Sequence, residues 1–264
     1  MSRRRKRKPA ASPAISAAAE FERELEVFRT EAQAAAQFFY AYLAVYAAAG
    51  DDKAVFRVLN TAPLFWNTNL GALQTATVVT LGRIFDQNST HNVGRLLRIA
   101  QDNPQIFSKA ALGLRKQGTN KNPPAWLYDY LRNAYVPKTS DFQRLQTHVR
   151  KNRKVYEEKY RDLRHQIFAH KGLSDPAAIS ALFAKTNIRE LQRLLVSLSS
   201  LYEALWQLLI NGRKPVLRPH RYSVRRIREQ PSPHGPGNAV HERIIHEAER
   251  FLSKASRANN ASNP

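Results

Sequence analysis

Between residues 17 and 49 alanine, glutamate and leucine recur without a proline, and Gly50-Asp51-Asp52 follows as a stop and restart. That pattern predicts a first long helix. A second is expected over 65–86, where Trp66, Leu70, Leu73, Thr77, Leu81 and Ile84 fall three and four apart on one apolar face. Residues 88–138 alternate short helical pieces, 93–100 among them, with breakers at Pro104, Gly118, Pro123-Pro124 and Pro137, and read as an elaborated connection. The next start is marked by Ser140 and Gln143 at capping-box spacing, with Asp141 in the dipole-favoured first turn. Its stripe of Phe142, Leu145, Val149, Tyr156, Tyr160, Leu163 and Ile167 predicts one continuous helix, ended by Gly172 just past His170. Asp175-Pro176 opens a short helix by the cap-then-proline rule, and Asn187 with Glu190 repeats the capping-box pattern. Ile188, Leu191, Leu195, Leu198, Tyr202, Leu205 and Leu209 then form the last core stripe, closed by Asn211-Gly212. Beyond it a basic, proline-bearing stretch leads to an amphipathic piece near 240–252. No segment alternates with a strand period and no repeat is present. The expected fold is an all-α, up-and-down bundle of four to five long helices with short accessory helices.

Composition narrows the chemistry. With 43% hydrophobic residues in 264, the chain can bury a core, and the absence of cysteine excludes disulfide frameworks, thiolate metal sites and cysteine nucleophiles. The longest nearly uninterrupted apolar run, 38–49, is too short to cross a bilayer, so no membrane span is expected. The basic start SRRRKRKP resembles the first part of a signal peptide, but acidic residues stand where its apolar part belongs, which points to a cytoplasmic protein. No Walker loop, dinucleotide turn or nucleophile elbow is present, and His241 with His246 lack a partner set for a metal. Neither a cofactor nor a metal is expected.

The net charge of +21 is concentrated: Arg3 to Lys8 carries six positive charges, and Arg213, Lys214, Arg218, Arg221, Arg225, Arg226 and Arg228 carry seven. An excess of this kind favours phosphate polymers as partners, although solubilising tails have the same composition. The charge pattern divides the chain into a basic arm (1–16), a helical domain (17–212), a basic proline-containing linker (213–238) and a C-terminal amphipathic helix with its tail (239–264). A further run, RKNRKVYEEK, sets Arg150, Lys151, Arg153 and Lys154 on the helix that leads to Arg164. Together with Arg221, Arg225 and Arg226 they are candidates for RNA contact, and a solvated face is the plain alternative. Phe38, Phe39, Tyr40, Tyr42 and Tyr46 can stack bases, but aromatics on an alanine-rich helix belong more often to a core.

One arginine-to-histidine spacing stands out, RHQIFAH from Arg164 to His170. Arg213 to His220 and Arg228 to His234 have similar spacings but enclose prolines that forbid a helical frame. The wider text YRDLRHQIFAHKG, with polar His165 after the arginine and small Ala169 before the histidine, resembles the abortive-infection U branch of the HEPN superfamily. The segment 80–97 is similar to an earlier helix of that branch through an Arg-x-Phe-Asp element, here Arg83, Phe85 and Asp86. The resemblance spans roughly residues 25 to 210 and leaves the basic arms outside.

The resemblance implies a metal-independent endoribonuclease acting through Arg164 and His170, with His165 as a second proton-transfer or phosphate-contacting group. The residue types fit. RNA cleaves itself when a 2′-hydroxyl attacks the neighbouring phosphate, histidine exchanges protons near neutrality, and the guanidinium fork grips a phosphate. Six residues apart on an ideal helix, Arg164 and His170 stand about 120° from each other. The family relieves this by joining the motifs of two protomers, which implies a homodimer, and it implies phage defence with an antitoxin or defence-system partner. Arg83 and Asp86, three apart, can support the site or simply pair with each other on a helix surface. A non-catalytic module that binds RNA or protein is the alternative. Silencing by adenylylation of a tyrosine two residues after the motif histidine is disfavoured, because Gly172 stands there.

Overall fold

A long alanine-rich helix organises the rest of the chain. The computed structural model describes residues 16–165, 186–218, 223–229 and 239–261; His170, Gly172, Arg221 and the arm before Ser16 lie outside them. Helix α1 (Ala17–Asp51) is capped by Ser16, whose Oγ accepts from the Ala19 N–H at 3.2 Å. Asp52 then caps α2 (Lys53–Asn60) by accepting from the Ala54 N–H at 2.7 Å, so the restart after Gly50 is real. After these come α3 (Pro63–Phe85), α4 (Val93–Asp102), a 3₁₀ turn (Pro104–Phe107), α5 (Lys109–Gln117), α6 (Leu127–Asn133) and α7 (Thr139–Lys159). Then follow α8 (Ile188–Asn211), α9 (Val224–Arg228) and α10 (Val240–Ala261). The described residues contain no strand. Five helices are long, α1, α3, α7, α8 and α10, which is the all-α bundle expected.

Helix α1 lies at the centre because its buried face alternates bulky and small residues. Phe21, Leu25, Phe28 and Phe39 fill space, while Ala32, Ala35, Ala36, Ala44 and Ala48 let α3, α8 and α10 approach closely. In α8 the buried face includes Leu194, Leu201 and Leu208 besides the expected Leu195, Leu198, Leu205 and Leu209. Ile188 is exposed at the end and Tyr202 only half-buried. By length and composition α8 could cross a bilayer, yet half of that apolar stretch is buried inside the bundle. Helix α10 also belongs to the core: Ile245 and Leu252 are buried, packed with α1 and α2.

The connection between α4 and α7 closes the end of α8. Arg115 donates to the carbonyls of Leu209 and Ile106, Tyr130 Oη donates to the Asn211 carbonyl at 2.9 Å, and the Tyr135 N–H reaches the Gly212 carbonyl at 2.7 Å. These contacts satisfy carbonyls that a helix end leaves without partners. Helix α7 begins earlier than the Ser140 spacing suggests. Buried Asp141 accepts from the Lys138 N–H at 2.9 Å, Tyr135 Oη and Arg144, so the N-cap is Lys138 and the carboxylate serves from the third position. At the start of α8 only half of the expected box forms: Asn187 Oδ1 accepts from the Arg189 N–H, whereas Glu190 turns to Lys159 Nζ.

The predicted continuous helix past residue 140 is interrupted. Helix α7 stops at Lys159, Tyr160 stays right-handed but distorted at φ −119° and ψ −22°, and a wider π-type turn covers 163–165. Buried Tyr160 donates through Oη to the Asn187 carbonyl at 3.0 Å and so anchors the break to the start of α8. An apolar stripe records which face is inward but not a local change of winding, so the interruption is invisible to periodicity.

Candidate functional site

The interruption aims Arg164 at the end of α3. Asp86 is the C-cap of α3, and its backbone N–H returns to the Gly82 carbonyl at 2.9 Å. Its extended backbone, ψ 121°, turns the carboxylate out of the helix. Oδ1 accepts from the Asn88 N–H at 3.1 Å and Oδ2 from Arg164 Nη1 at 3.1 Å. The Asn88 N–H outweighs burial and, with Arg164, holds the Asp86 carboxyl below its ordinary value. Burial opposes the Arg164 charge, but the hydrogen bond to Asp86 and the nearby Tyr156 hydroxyl outweigh it and raise the guanidinium pKa. The ion pair is therefore built to stay charged.

Gly82 allows the approach. A Cβ on this residue would stand 2.5 Å from Arg164 Cδ, 2.7 Å from Nε and 2.8 Å from Nη1, so the arginine crosses α3 in the space a side chain would fill. Beneath the guanidinium lies buried Tyr156, which stacks on Phe85 with centroids 5.6 Å apart; burial pushes its hydroxyl pKa up. The loop after Asp86 is tied to α1, since His91 Nδ1 lies 2.9 Å from a carboxylate oxygen of buried Glu24 and Arg95 pairs with Glu20. Gln87 is held from the other side, because its side-chain oxygen, suitably oriented, accepts from Arg153 Nη2 at 3.1 Å.

These elements enclose a polar cleft of about 490 Å³ bordered by Asp86, Gln87, Asn88, Arg161, Arg164 and His165. Two cations, an imidazole and two carboxylates, Asp86 and Glu157, border one volume. The set can grip an oxyanion, pass a proton through the imidazole and keep the guanidinium oriented.

Of the residues singled out from sequence, Arg164, His165 and Asp86 meet in this cleft. Arg83 does not join them, and it does not pair with Asp86. Its Nε donates to Glu31 of α1 at 2.9 Å, because Asp86 has left the helix surface that the three-residue spacing assumes. Arg153 flanks the cleft, bound to Gln87 and within 3.4 Å of Glu157. Arg150, Lys151 and Lys154 are exposed on α7, with Lys154 near Glu158, while Arg225 and Arg226 are exposed on α9. His170 and Arg221 lie outside the described residues. Several residues that build the site escaped the sequence reading, among them Arg161 and Tyr156 in the cleft lining and Gly82 packed against Arg164. Gly82 had a signal, an interior helical glycine without a turn to explain it; Arg161 stands one turn before Arg164; Tyr156 reads as one more core residue in a stripe.

The basic stretch after α8 is seated rather than loose where it is described. Ser200 Oγ donates to the Arg218 carbonyl at 2.8 Å, Arg144 to the Pro215 carbonyl at 3.1 Å, and Ile227 of α9 is buried. Arg228, read from sequence as part of a basic arm, bonds Asp51 and, at 3.1 Å, Glu249.

A family model described as HEPN_AbiU2, AbiU2, matches residues 18–228. Among curated proteins and among solved structures, nothing matches.

Proposed function

The chain belongs to the AbiU2 family of HEPN proteins, and from that premise we propose that it is a metal-independent endoribonuclease of the abortive-infection type, acting in the cytoplasm. The observation that carries this reading is the Arg164 cleft, where a guanidinium oriented by Asp86 shares about 490 Å³ with Arg161 and His165, six residues before the motif histidine. In the proposed reaction the 2′-hydroxyl of RNA attacks the adjacent phosphorus as an imidazole takes its proton. The phosphorus to 5′-oxygen bond breaks, the leaving oxygen is protonated, and the products are a 2′,3′-cyclic phosphate and a 5′-hydroxyl. Arg164 stabilises the charge gathering on the phosphate, and His170 is the principal proton carrier. A second copy of the chain completes the site by pairing its own motif with the first.

A non-catalytic RNA- or protein-binding module is the second reading. The Arg164 to Asp86 ion pair favours it, since a guanidinium already bonded to a carboxylate has fewer donors for phosphate. Cleavage of RNA in excess chelator, by the full chain and by its His170→Ala and Arg164→Ala variants, separates the two. The nuclease reading expects cyclic phosphate ends from the parent and a loss of roughly hundredfold or more in each folded variant. Equal rates in all three proteins, or binding without any cut, would reject it.

A further inference from the structure

A second, larger groove lies on the other flank of α7. Helical rotation of about 100° per residue sets Lys151 about 160° from Arg153 and about 140° from Tyr156 around α7. The groove, about 1270 Å³, runs between α1, α7 and α8 and is walled by the seated segments 217–218 and 223–225. Arg225, paired with Glu229 at 3.1 Å, and four exposed cations, Lys151, Arg189, Arg193 and Arg218, line it, and among the described residues no carboxylate does. Among the described residues none of these four forms an ion pair, although most other arginines of the bundle do.

That arrangement is unfavourable for the empty protein. Arg189 and Arg193 repel each other one turn apart, and Arg189 sits in the first turn of α8, where the helix dipole disfavours a cation. At the groove floor His148 Nε2 lies 2.6 Å from Ser197 Oγ, and burial, with a smaller part from Lys151, pushes the imidazole pKa down, so this ring adds no strong cation of its own. An anion in the groove would relieve all of this. Its edge is not merely basic: Tyr46 is 53% exposed there, braced by Tyr42 with centroids 4.7 Å apart. Exposed tyrosine beside arginines is the combination that stacks unpaired bases while holding their phosphates.

We propose that this groove docks a single-stranded segment of RNA, with its phosphates on Lys151, Arg189, Arg193 and Arg218 and a base against Tyr46. The choice of RNA over another base-bearing strand rests on the proposed nuclease reading; the groove's own features require only a flexible chain carrying phosphates and bases. Docking here, away from the Arg164 cleft, holds a long substrate at a second point.

The test is fluorescence anisotropy of the full chain with a short labelled 2′-O-methyl RNA, which cannot undergo 2′-hydroxyl attack. The double variant Arg189→Ala with Arg193→Ala should bind about tenfold or more weakly and show a shallower salt dependence by about two phosphates. Tyr46→Ala should weaken the RNA complex by about fivefold or more while leaving inorganic polyphosphate unaffected. The altered side chains are exposed, and circular dichroism with thermal melting checks that each variant is folded. Unchanged affinity and salt slope in the double variant would overturn the proposal. So would tighter binding of an RNA duplex, or a Tyr46→Ala protein that treats RNA and polyphosphate alike. If Arg164→Ala and His170→Ala still cut RNA while the groove variants lose it, the nuclease reading falls and the groove stands; the reverse pattern sinks the groove alone.

Discussion

Arg164 acquires its position from three neighbours that act differently. Asp86 supplies the opposite charge, Tyr156 the buried surface beneath, and Gly82 the space above. The space is the easiest of these to remove. In Gly82→Ala the new methyl meets only a flexible side chain, so the arginine swings away while α3 persists. The gain in helix propensity, about 0.5–1 kcal/mol, offsets much of the lost ion pair. The expected result is a protein whose melting temperature changes by a few degrees at most and whose RNA cleavage falls at least about tenfold. Parent-level cleavage in the folded variant would show that Arg164 does not need its place beside Asp86. The arginine itself was legible from its spacing to His170. Its partner was not: sequence proximity favoured Arg83 for Asp86, whereas the actual bond spans 78 positions.

Helix ends account for most of what was legible at the next scale. Asn187, Ser16 and Gly212 all sit where cap chemistry puts them, because a cap depends on residues within one turn. Gly212 has a second duty. Its backbone is left-handed at φ +55°, and a Cβ would stand 2.5 Å from Leu112 Cδ2 and 3.0 Å from the Ala134 Cβ. Gly212→Ala is expected to cost about 2–4 kcal/mol from conformation and overpacking together, read as a lower denaturation midpoint in urea. A change under about 0.5 kcal/mol would mean that the corner between α5 and α8 yields easily. The contact of α7 with α8 carries a pH signature. Burial and then Lys151 lower the His148 pKa from its ordinary 6.5, so the folded protein binds fewer protons at this group than the unfolded chain does. Its contribution is present above 6.5 and is lost as pH falls through the folded value. Urea midpoints should therefore drop on acidification more steeply for the parent than for His148→Gln, and parallel curves would refute the assignment.

At the scale of the whole molecule, the core extends past the family match. Helix α10 lies beyond residue 228, yet Ile245 and Leu252 are 0% and 1% exposed against α1 and α2. Burying two such side chains contributes about 3–6 kcal/mol, comparable with the net stability of a domain. A chain truncated at residue 238 should consequently be insoluble or melt far below the parent, as thermal denaturation would reveal. A truncated protein with an unchanged melting temperature would make α10 an accessory. The charge of the molecule has also been sorted by folding. Arg228 is consumed in ion pairs that hold α9, while Lys151, Arg189, Arg193 and Arg218 from three separate stretches of chain are left to face one groove.

The sequence by itself determined which stretches are helical, where most of them begin and end, and that the fold is an all-α bundle. Those properties follow from periodicity and capping, which act within a few residues. It also marked Arg164 as the arginine worth following and carried the family resemblance. Only the tertiary structure decided that the long helix breaks at Tyr160, that Asp86 turns to Arg164 while Arg83 turns to Glu31, and that scattered basic residues line one groove. The physical reason is range. A charge or an interior glycine has no fixed partner until packing brings remote helices together, and nothing in the local pattern records which helices those will be.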